Sequence, residues 1–309
     1  MIEHTFIHLP GIGAKTERRM WRQGVTSLHA LAEQAQDAVG DEGLDDMEIM
    51  DDDEAPRRPR KPRRAPDRVL EESIRALEAQ DWGFFYRELP VREHWRLLPC
   101  FRRIAYLDIE TTGLGPFQNH ITTIGIYDGV GLTSYVHGRN LDEFMADIMN
   151  YDALVTFNGK TFDLPFIEAQ FRQRIPLPHL DLRHLFHSLG YKGGLKKIET
   201  RLGLGRTGAM HDIDGFVAVL LWQEYANRGN RAALETLLAY NLTDVVNLKP
   251  LAAMVYNMHL PPEFSHLRQD ESVERPAIPH AVDAELVARL ARHAPPWQAR
   301  DPEQMEEIP

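Results

Sequence analysis

The spacing of apolar residues changes character at about residue 103. From there, short apolar segments bounded by glycine and polar residues predict β-strands. After Phe162 the apolar residues recur every three or four positions, which predicts helix. The predicted strands cover residues 104–109, 121–127, 132–137 and 153–157, and the predicted helices cover residues 141–150, 164–174, 182–189, 195–202, 213–228 and 231–256. Strands followed by alternating helices predict an α/β fold with a mixed sheet flanked by helices.

Smaller segments surround this part of the chain. Two of them carry opposite charge: residues 41–54 hold nine acidic residues, and residues 57–68 hold seven Arg or Lys residues among three prolines. Charge separated by sign, without apolar periodicity, is typical of an unfolded linker. The predicted segments are a small helical unit over 1–40, the linker over 41–68, a helical lead-in over 69–99 and a mobile tail over 259–309.

Composition narrows the class of protein. The chain has 309 residues, 43% of them apolar, but no apolar run approaches the ~20 residues that cross a bilayer. Its start does not resemble a signal peptide, and Cys100 is its single cysteine. We therefore expect a soluble cytoplasmic protein without disulfides and without a membrane partner. The net charge of −11 argues against a protein that binds nucleic acid over its whole surface. Carboxylates that hold metal ions nevertheless contribute to that negative charge.

The first candidate for chemistry is a pair of acids at the end of the first predicted strand. Asp108 and Glu110 share one face of that strand, because side chains alternate with a period of two. Leu107 and Ile109 face the other way. Two neighbouring carboxylates repel each other unless a positive charge lies between them. Taken alone, this pattern is also typical of a solvated strand end.

Two further segments contain acids in suggestive places. Asp163 ends the loop after the fourth predicted strand, where it could cap a helix, bind a metal ion, or do both. Tyr240 and Asp244 are four residues apart and share one face of the last long helix. Four carboxylates from a strand, a loop and a helix favour Mg²⁺ or Mn²⁺ over zinc. Two such ions ~4 Å apart would clamp the attacking and leaving oxygens of a phosphodiester. Tyr240 would orient the attacking water or help to deprotonate it.

In this order, the three segments resemble the three exonuclease motifs of the DEDD superfamily, in the variant whose third motif carries tyrosine. Asp108 and Glu110 match the first motif, Asp163 matches the second, and Tyr240 with Asp244 matches the third. Flanking sequence narrows the resemblance to the YprB-like ribonuclease H-like exonucleases. The flanking segments are residues 93–98, 193–199 and 212–215.

The resemblance implies a ribonuclease H-like exonuclease domain over about residues 100–258. It also implies cleavage from the 3′ end of single-stranded or frayed DNA or RNA, with two Mg²⁺ or Mn²⁺ ions. By position, Thr111 and Leu114 would contact the terminal nucleotide, with Leu114 wedged against the last base. Asn158 and Phe162 match the second motif and would belong to the substrate site.

Two interpretations stay open beside this one. The same fold could serve as a catalytically silent nucleic-acid-binding protein, or as a scaffold in a repair or RNA-processing assembly. The segment Leu9–Gly13 resembles the hairpin of a helix-hairpin-helix element, with Lys15, Arg18 and Arg19 after it. Such a hairpin could bind phosphates or serve packing alone. The sequence does not distinguish DNA from RNA and does not indicate a protein partner.

Overall fold

The structure is a computed structural model that describes residues 1–40, 66–206, 208–272 and 276–293. The chain divides into two compact units: Met1–Cys100 with Pro261–Leu267, and Phe101–Leu260 with Arg268–Pro309. The linker predicted over residues 41–68 lies outside the described residues, except for its last three residues, which begin a helix. No helix in the described part of the chain is both long enough and apolar enough to cross a membrane.

The first unit is helical. Its core includes a buried ion pair: Glu17 is 1% exposed, and its carboxylate accepts hydrogen bonds from the backbone N–H groups of Phe6 and Ile7. Both terminal nitrogens of Arg96 donate to the same carboxylate, at 2.9 and 2.8 Å. Each oxygen of this buried acid therefore has partners. The helices are α1 (Ala14–Arg22), α2 (Leu28–Gly40), α3 (Pro66–Glu78) and α4 (Trp82–Glu88), with 3₁₀ helices at Ile2–His4, Val91–Cys100 and Pro262–Leu267.

The second unit is built on a five-stranded mixed sheet, which confirms the predicted α/β fold. The strands are β1 (Ile104–Thr111), β2 (Ile121–Tyr127), β3 (Leu132–Val136), β4 (Ala153–Thr156) and β5 (His179–Asp181). Their order in the sheet is β3-β2-β1-β4-β5. β2 is antiparallel to β1 and β3, whereas β4 is parallel to β1 and β5. β5 was not predicted, because three residues are too few to show an alternating pattern.

Helices cover both faces of this sheet. They are α5 (Phe144–Ile148), α6 (Asp163–Phe171), α7 (Leu182–Ser188), α8 (Leu195–Arg201), α9 (Gly215–Arg228), α10 (Arg231–His259) and α11 (Ala284–Ala291). The predicted helix over residues 141–150 is instead a 3₁₀ turn at Leu141–Glu143 followed by α5. α10 packs against β1, β2 and β4.

The two faces of β1 differ as the period of two predicts. Leu107 and Ile109 are buried in one core cluster with Phe144 and Phe166, which lie on α5 and α6. Asp108 points the other way, where its carboxylate meets α10. The sheet therefore separates an apolar layer from a layer that contains the acids.

Part of the segment expected to form a mobile tail is folded. Leu286, Val287 and Leu290 of α11 are buried in a core cluster with Val217 and Leu221 of α9. Their helical spacing gives α11 one apolar face, and burial of that face against α9 stabilises the helix. Residues 284–291 are thus part of the second unit, whereas residues 294–309 lie outside the described part of the chain.

Candidate metal centre

Three of the four acids singled out from the sequence lie together at one edge of the sheet. Carboxylate oxygens of Asp108, Glu110 and Asp244 lie within 4.8 Å of one another. The first two come from β1 and the third from α10. Asp163 begins α6 after β4, which runs parallel to β1, so both strands lead to the same edge. Asp163 is outside the group of three but close enough that its charge raises the pKa of Asp108.

The electrostatics of this cluster are unfavourable without a cation. Burial raises the pKa of Asp108, Glu110 and Asp244 well above the ordinary range, and repulsion among the carboxylates adds to that shift. Burial also raises the pKa of Asp163 to about 7. A positive charge among these groups would favour their ionised forms. The cluster therefore has the electrostatic character of a cation site.

The donor atoms indicate which cation would fit. Oδ1 of Asp163 is buried and has no hydrogen-bond partner among the described residues. Buried polar atoms are almost always satisfied, so an unpaired carboxylate oxygen points to a missing ligand. Carboxylates are hard oxygen ligands, which suit Mg²⁺ and Mn²⁺. The cluster fits a divalent metal site.

Asn241 holds Asp108 in place, and the sequence had not singled it out. Its side-chain N–H group donates to Oδ2 of Asp108 at 2.8 Å, and its Oδ1 accepts from Thr123 Oγ1 at 3.3 Å. This approach needs Gly125, which pairs with Asp108 across the sheet. A Cβ at Gly125 would lie 2.8 Å from Asn241 Oδ1. The available signal was an amide side chain between Tyr240 and Asp244, one residue after the tyrosine.

Two cationic side chains contact the third predicted segment, which contains Tyr240 and Asp244. Tyr240 is 6% exposed, and its ring centroid lies 4.9 Å from the Arg206 guanidinium carbon and 5.6 Å from Lys196 Nζ. Arg206 Nη2 also lies 2.6 Å from Oδ1 of Asp244. Burial raises the pKa of Tyr240 well above its ordinary value, the charge of Asp244 adds to that shift, and Arg206 opposes it. Arg206 was not singled out from the sequence either.

The loop before Asp163 is held from an unpredicted strand. Asp181, at the end of β5, accepts hydrogen bonds from the backbone N–H groups of Asn158 and Lys160 at 2.8 and 3.0 Å. Asn158 has a left-handed φ of 69°, and its Oδ1 accepts from Thr161 and Arg183. A left-handed asparagine held by several hydrogen bonds is a conformation often found at functional sites. Asp181 thereby fixes the path of the chain into α6.

The remaining predicted contact residues lie in different environments. Phe162 is half-buried, with its ring centroid 4.9 Å from that of Phe166. Thr111 is buried, and its hydroxyl donates to the carbonyl of Gly113 at 2.7 Å. Leu114 is 86% exposed in the loop that follows β1. Of these three side chains, Leu114 is the most accessible to a ligand.

No histidine of the described residues belongs to the acid cluster. Nε2 of His179 is 2.8 Å from the hydroxyl of Thr156. Within the described ranges, Asp108, Glu110 and Asp244 form the one group of three metal-binding side chains with converging ligand atoms.

Comparison with solved structures gives distant similarities. One is to Brucella melitensis NrnC with bound Mg²⁺, at 20% identity and a TM-score of 0.38, over 64% of this chain and 89% of that one. A second, described as the apo form of a nuclease, has 20% identity and a TM-score of 0.37, over 65% and 87%. A third is the family B DNA polymerase from the archaeon Pyrobaculum calidifontis, at 12% identity and a TM-score of 0.35. The match spans 50% of this chain and only 29% of the polymerase.

Comparison of sequences locates the domain more clearly. A search among curated proteins gave no significant match. The family model of the RNase H superfamily, however, matches residues 105–256. This range contains all four acids and spans all but the first residue of the mixed sheet. Residues 105–256 therefore form an α/β domain with a ribonuclease H-like fold.

Proposed function

We propose that this domain is a metal-dependent exonuclease that removes nucleotides from the 3′ end of single-stranded or frayed nucleic acid. The observation that carries the proposal is the convergence of Asp108, Glu110 and Asp244 within 4.8 Å. Buried carboxylates that repel one another destabilise a fold, so their convergence argues for a function that needs them. The resemblance of the three segments to exonuclease motifs supports the 3′→5′ direction.

The four acids would hold two Mg²⁺ or Mn²⁺ ions: Asp108, Glu110, Asp163 and Asp244. Bound divalent ions would supply the positive charge that stabilises the transition state of phosphodiester hydrolysis. The protein's part is to fix the carboxylates before substrate arrives. Asn241 does this for Asp108 through the 2.8 Å hydrogen bond, and the Asp181-anchored loop does it for Asp163.

Tyr240 would orient the attacking water. Burial raises the pKa of its phenol, so the hydroxyl keeps its proton at neutral pH and acts as a hydrogen-bonding group, not as a base. The ring belongs to a residue of α10, and the cations of Arg206 and Lys196 lie over it. A buried ring in a fixed position can direct one hydroxyl at one point, which is what orientation of a water molecule requires.

The substrate would approach the sheet edge along the loop after β1. Leu114 is 86% exposed there, and Phe117 is 94% exposed in the same loop. Asn119 braces the loop by donating to the carbonyl of Gly115 at 3.0 Å. Exposed apolar side chains on a braced loop suit contact with the faces of unpaired bases. Thr111, Asn158 and Phe162 complete the proposed substrate site.

A digestion panel tests this function. The substrates are 5′-labelled single-stranded DNA and RNA, the matching duplexes, and circular single-stranded DNA, each with Mg²⁺, Mn²⁺, Ca²⁺ or EDTA. We expect a ladder that shortens from the 3′ end with Mg²⁺ or Mn²⁺, no cleavage with Ca²⁺ or EDTA, and intact circles. Cut circles would indicate an endonuclease. Tight binding without cleavage under every condition would indicate the silent binding protein instead.

A further inference from the structure

A buried arginine contacts both side chains of the third proposed motif. The side chain of Arg206 is 3% exposed, and its Nη2 lies 2.6 Å from Oδ1 of Asp244. Its guanidinium carbon lies 4.9 Å from the ring centroid of Tyr240. Arginine has a rigid planar fork, so one group can hold a carboxylate at its edge while it stacks on a ring with its face. A single side chain thus contacts both the proposed water-orienting group and a proposed metal ligand.

Glu199 holds this arginine from the opposite side. Nε of Arg206 donates to Oε2 of Glu199 at 3.1 Å, and Glu199 is fully buried. The other oxygen of Glu199 accepts from the side-chain N–H group of Asn247 at 2.8 Å. Asn247 lies on α10 three residues after Asp244, so both are on one face of that helix. The Glu199–Arg206 pair therefore connects α8 and the loop after it to the face of α10 that carries Tyr240 and Asp244.

Glu199 is a fifth acid near the cluster, but its contacts do not suit a metal ligand. Both of its oxygens are engaged, one by Arg206 and one by Asn247. Oδ1 of Asp163, in contrast, has no hydrogen-bond partner among the described residues. Glu199 therefore binds Arg206, and Arg206 contacts the two side chains of the third motif.

We propose that Arg206, held by Glu199, is a positioning residue that fixes Tyr240 and Asp244 for cleavage and for metal binding. The inference rests on the function proposed above. Removal of a residue that orients a metal ligand without touching the ion typically lowers metal affinity or activity by ~10–100-fold. A salt bridge that merely joined α8 to α10 would affect stability and leave the active site unchanged.

The test compares Arg206→Gln and Arg206→Lys with the parent protein and with Arg103→Gln. Arg103 stacks on the ring of Tyr151 at 5.3 Å, at the opposite end of β1, so this control removes an arginine–tyrosine contact away from the acids. Four quantities are measured: Mn²⁺ binding without nucleic acid by paramagnetic resonance, the single-turnover cleavage rate, the steady-state KM, and thermal unfolding.

For Arg206→Gln we expect Mn²⁺ binding weaker by ~10-fold and cleavage slower by ~10–100-fold, with KM within ~3-fold of the parent. Arg206→Lys should lose less, because it keeps the charge but not the fork. In a Tyr240→Phe background, Arg206→Gln should slow cleavage much less than it does in the parent, because part of its effect acts through Tyr240. Arg103→Gln should match the parent in binding and rate.

Several outcomes would overturn the inference. Mn²⁺ binding that becomes tighter in Arg206→Gln would show that the arginine competes with the ion for Asp244. Unchanged binding and rate would make the pair purely structural, as would full additivity with Tyr240→Phe together with unchanged Mn²⁺ binding. If Arg206→Gln does not fold, Arg206→Lys and Glu199→Gln decide the question by the same measurements. A parent protein that binds Mn²⁺ but cleaves nothing would refute the proposed function alone, because Mn²⁺ binding still reports on Arg206.

Discussion

The buried acid of the first unit and the acid cluster of the second unit have different surroundings. Glu17 in the first unit is 1% exposed, and its two oxygens accept four hydrogen bonds from two backbone N–H groups and Arg96. In the second unit, Asp108, Glu110 and Asp244 converge within 4.8 Å, and Oδ1 of the nearby Asp163 has no partner among the described residues. Burial of charge is common to both. The acid of the first unit is fully paired, whereas the acids of the cluster repel one another, and this repulsion distinguishes a candidate cation site from a structural ion pair.

The largest effect is expected for Asp108→Asn. The substitution keeps the shape of the side chain and an acceptor for Asn241, but it removes a charge that would hold metal ions. We expect cleavage to fall by ~1000-fold or more, with the free energy of unfolding unchanged or raised, because one repelling charge is gone. Single-turnover cleavage and urea unfolding measure the two effects. A folded variant that cleaves at the parent rate would contradict the metal mechanism.

Glu17→Gln should lower the free energy of unfolding of the first unit, in contrast to Asp108→Asn in the second unit. Gln cannot balance the charge of Arg96, and removal of one partner of a buried ion pair costs ~3–5 kcal/mol. We expect a loss of that size in the free energy of unfolding of the unit that contains it, measured by urea with the intrinsic fluorescence of its tryptophans. A loss below ~1 kcal/mol would show that Arg96 finds other partners and would weaken the contrast between the two groups.

Tyr240→Phe separates water orientation from metal binding. Loss of one positioned hydroxyl should slow cleavage by ~10–1000-fold, whereas Mn²⁺ affinity should stay at the parent value, because the phenol is proposed to contact water. Asp244→Asn should weaken both. Equal losses of Mn²⁺ binding in the two variants would instead place the hydroxyl on the ion. Parent-like cleavage by Tyr240→Phe would make the tyrosine structural.

The pH dependence of metal-free stability should come from the acid cluster. The pKa of Asp163 is raised to about 7 in the folded protein, against an ordinary value of 3.8, so the folded state binds the proton more tightly than the unfolded state. The resulting stability is full below about pH 4 and is lost as the pH rises to about 7. The raised pKa values of Asp108, Glu110 and Asp244 act in the same direction.

Urea unfolding between pH 4 and pH 8 measures this slope. Asp163→Asn should flatten it, and saturating Mn²⁺ should flatten it too, because the ion stabilises the ionised acids. Glu17→Gln, which changes the buried ion pair of the first unit, is the control and should leave the pH slope of stability unchanged. A slope of the same size in Asp163→Asn and the parent would remove Asp163 from the set of strained acids.

The smallest effect is expected at Gly125. An added Cβ would lie 2.8 Å from Asn241 Oδ1, so Asn241 must shift and loosen its hold on Asp108. We expect Gly125→Ala to lower the free energy of unfolding by ~1–2 kcal/mol and to slow cleavage. Gly215→Ala is the control, because a Cβ there meets nothing within 4 Å. Unchanged cleavage in Gly125→Ala would show that Asn241 is not needed to orient Asp108.

Local patterns predicted much of the fold. The alternation around Leu107 and Ile109 predicted which face of β1 is apolar, and the structure confirms it. The boundaries of the other early strands were close to those observed. β5 and its Asp181 were missed, because three residues carry no periodic signal, although Asp181 holds the loop that leads into Asp163.

Local sequence patterns predicted four of the five strands in the described sheet, most of the helices packed on it and the segments that carry the acids, because those depend on spacing within a strand or a helical turn. Tertiary packing brought α10 to β1, so that Asn241 meets Asp108 and Asp244 meets the acids of the strand. It also decided the place of Arg206 between Glu199 and Asp244. Contacts of this kind join residues far apart in the chain, and they depend on how whole elements pack, which no local pattern records.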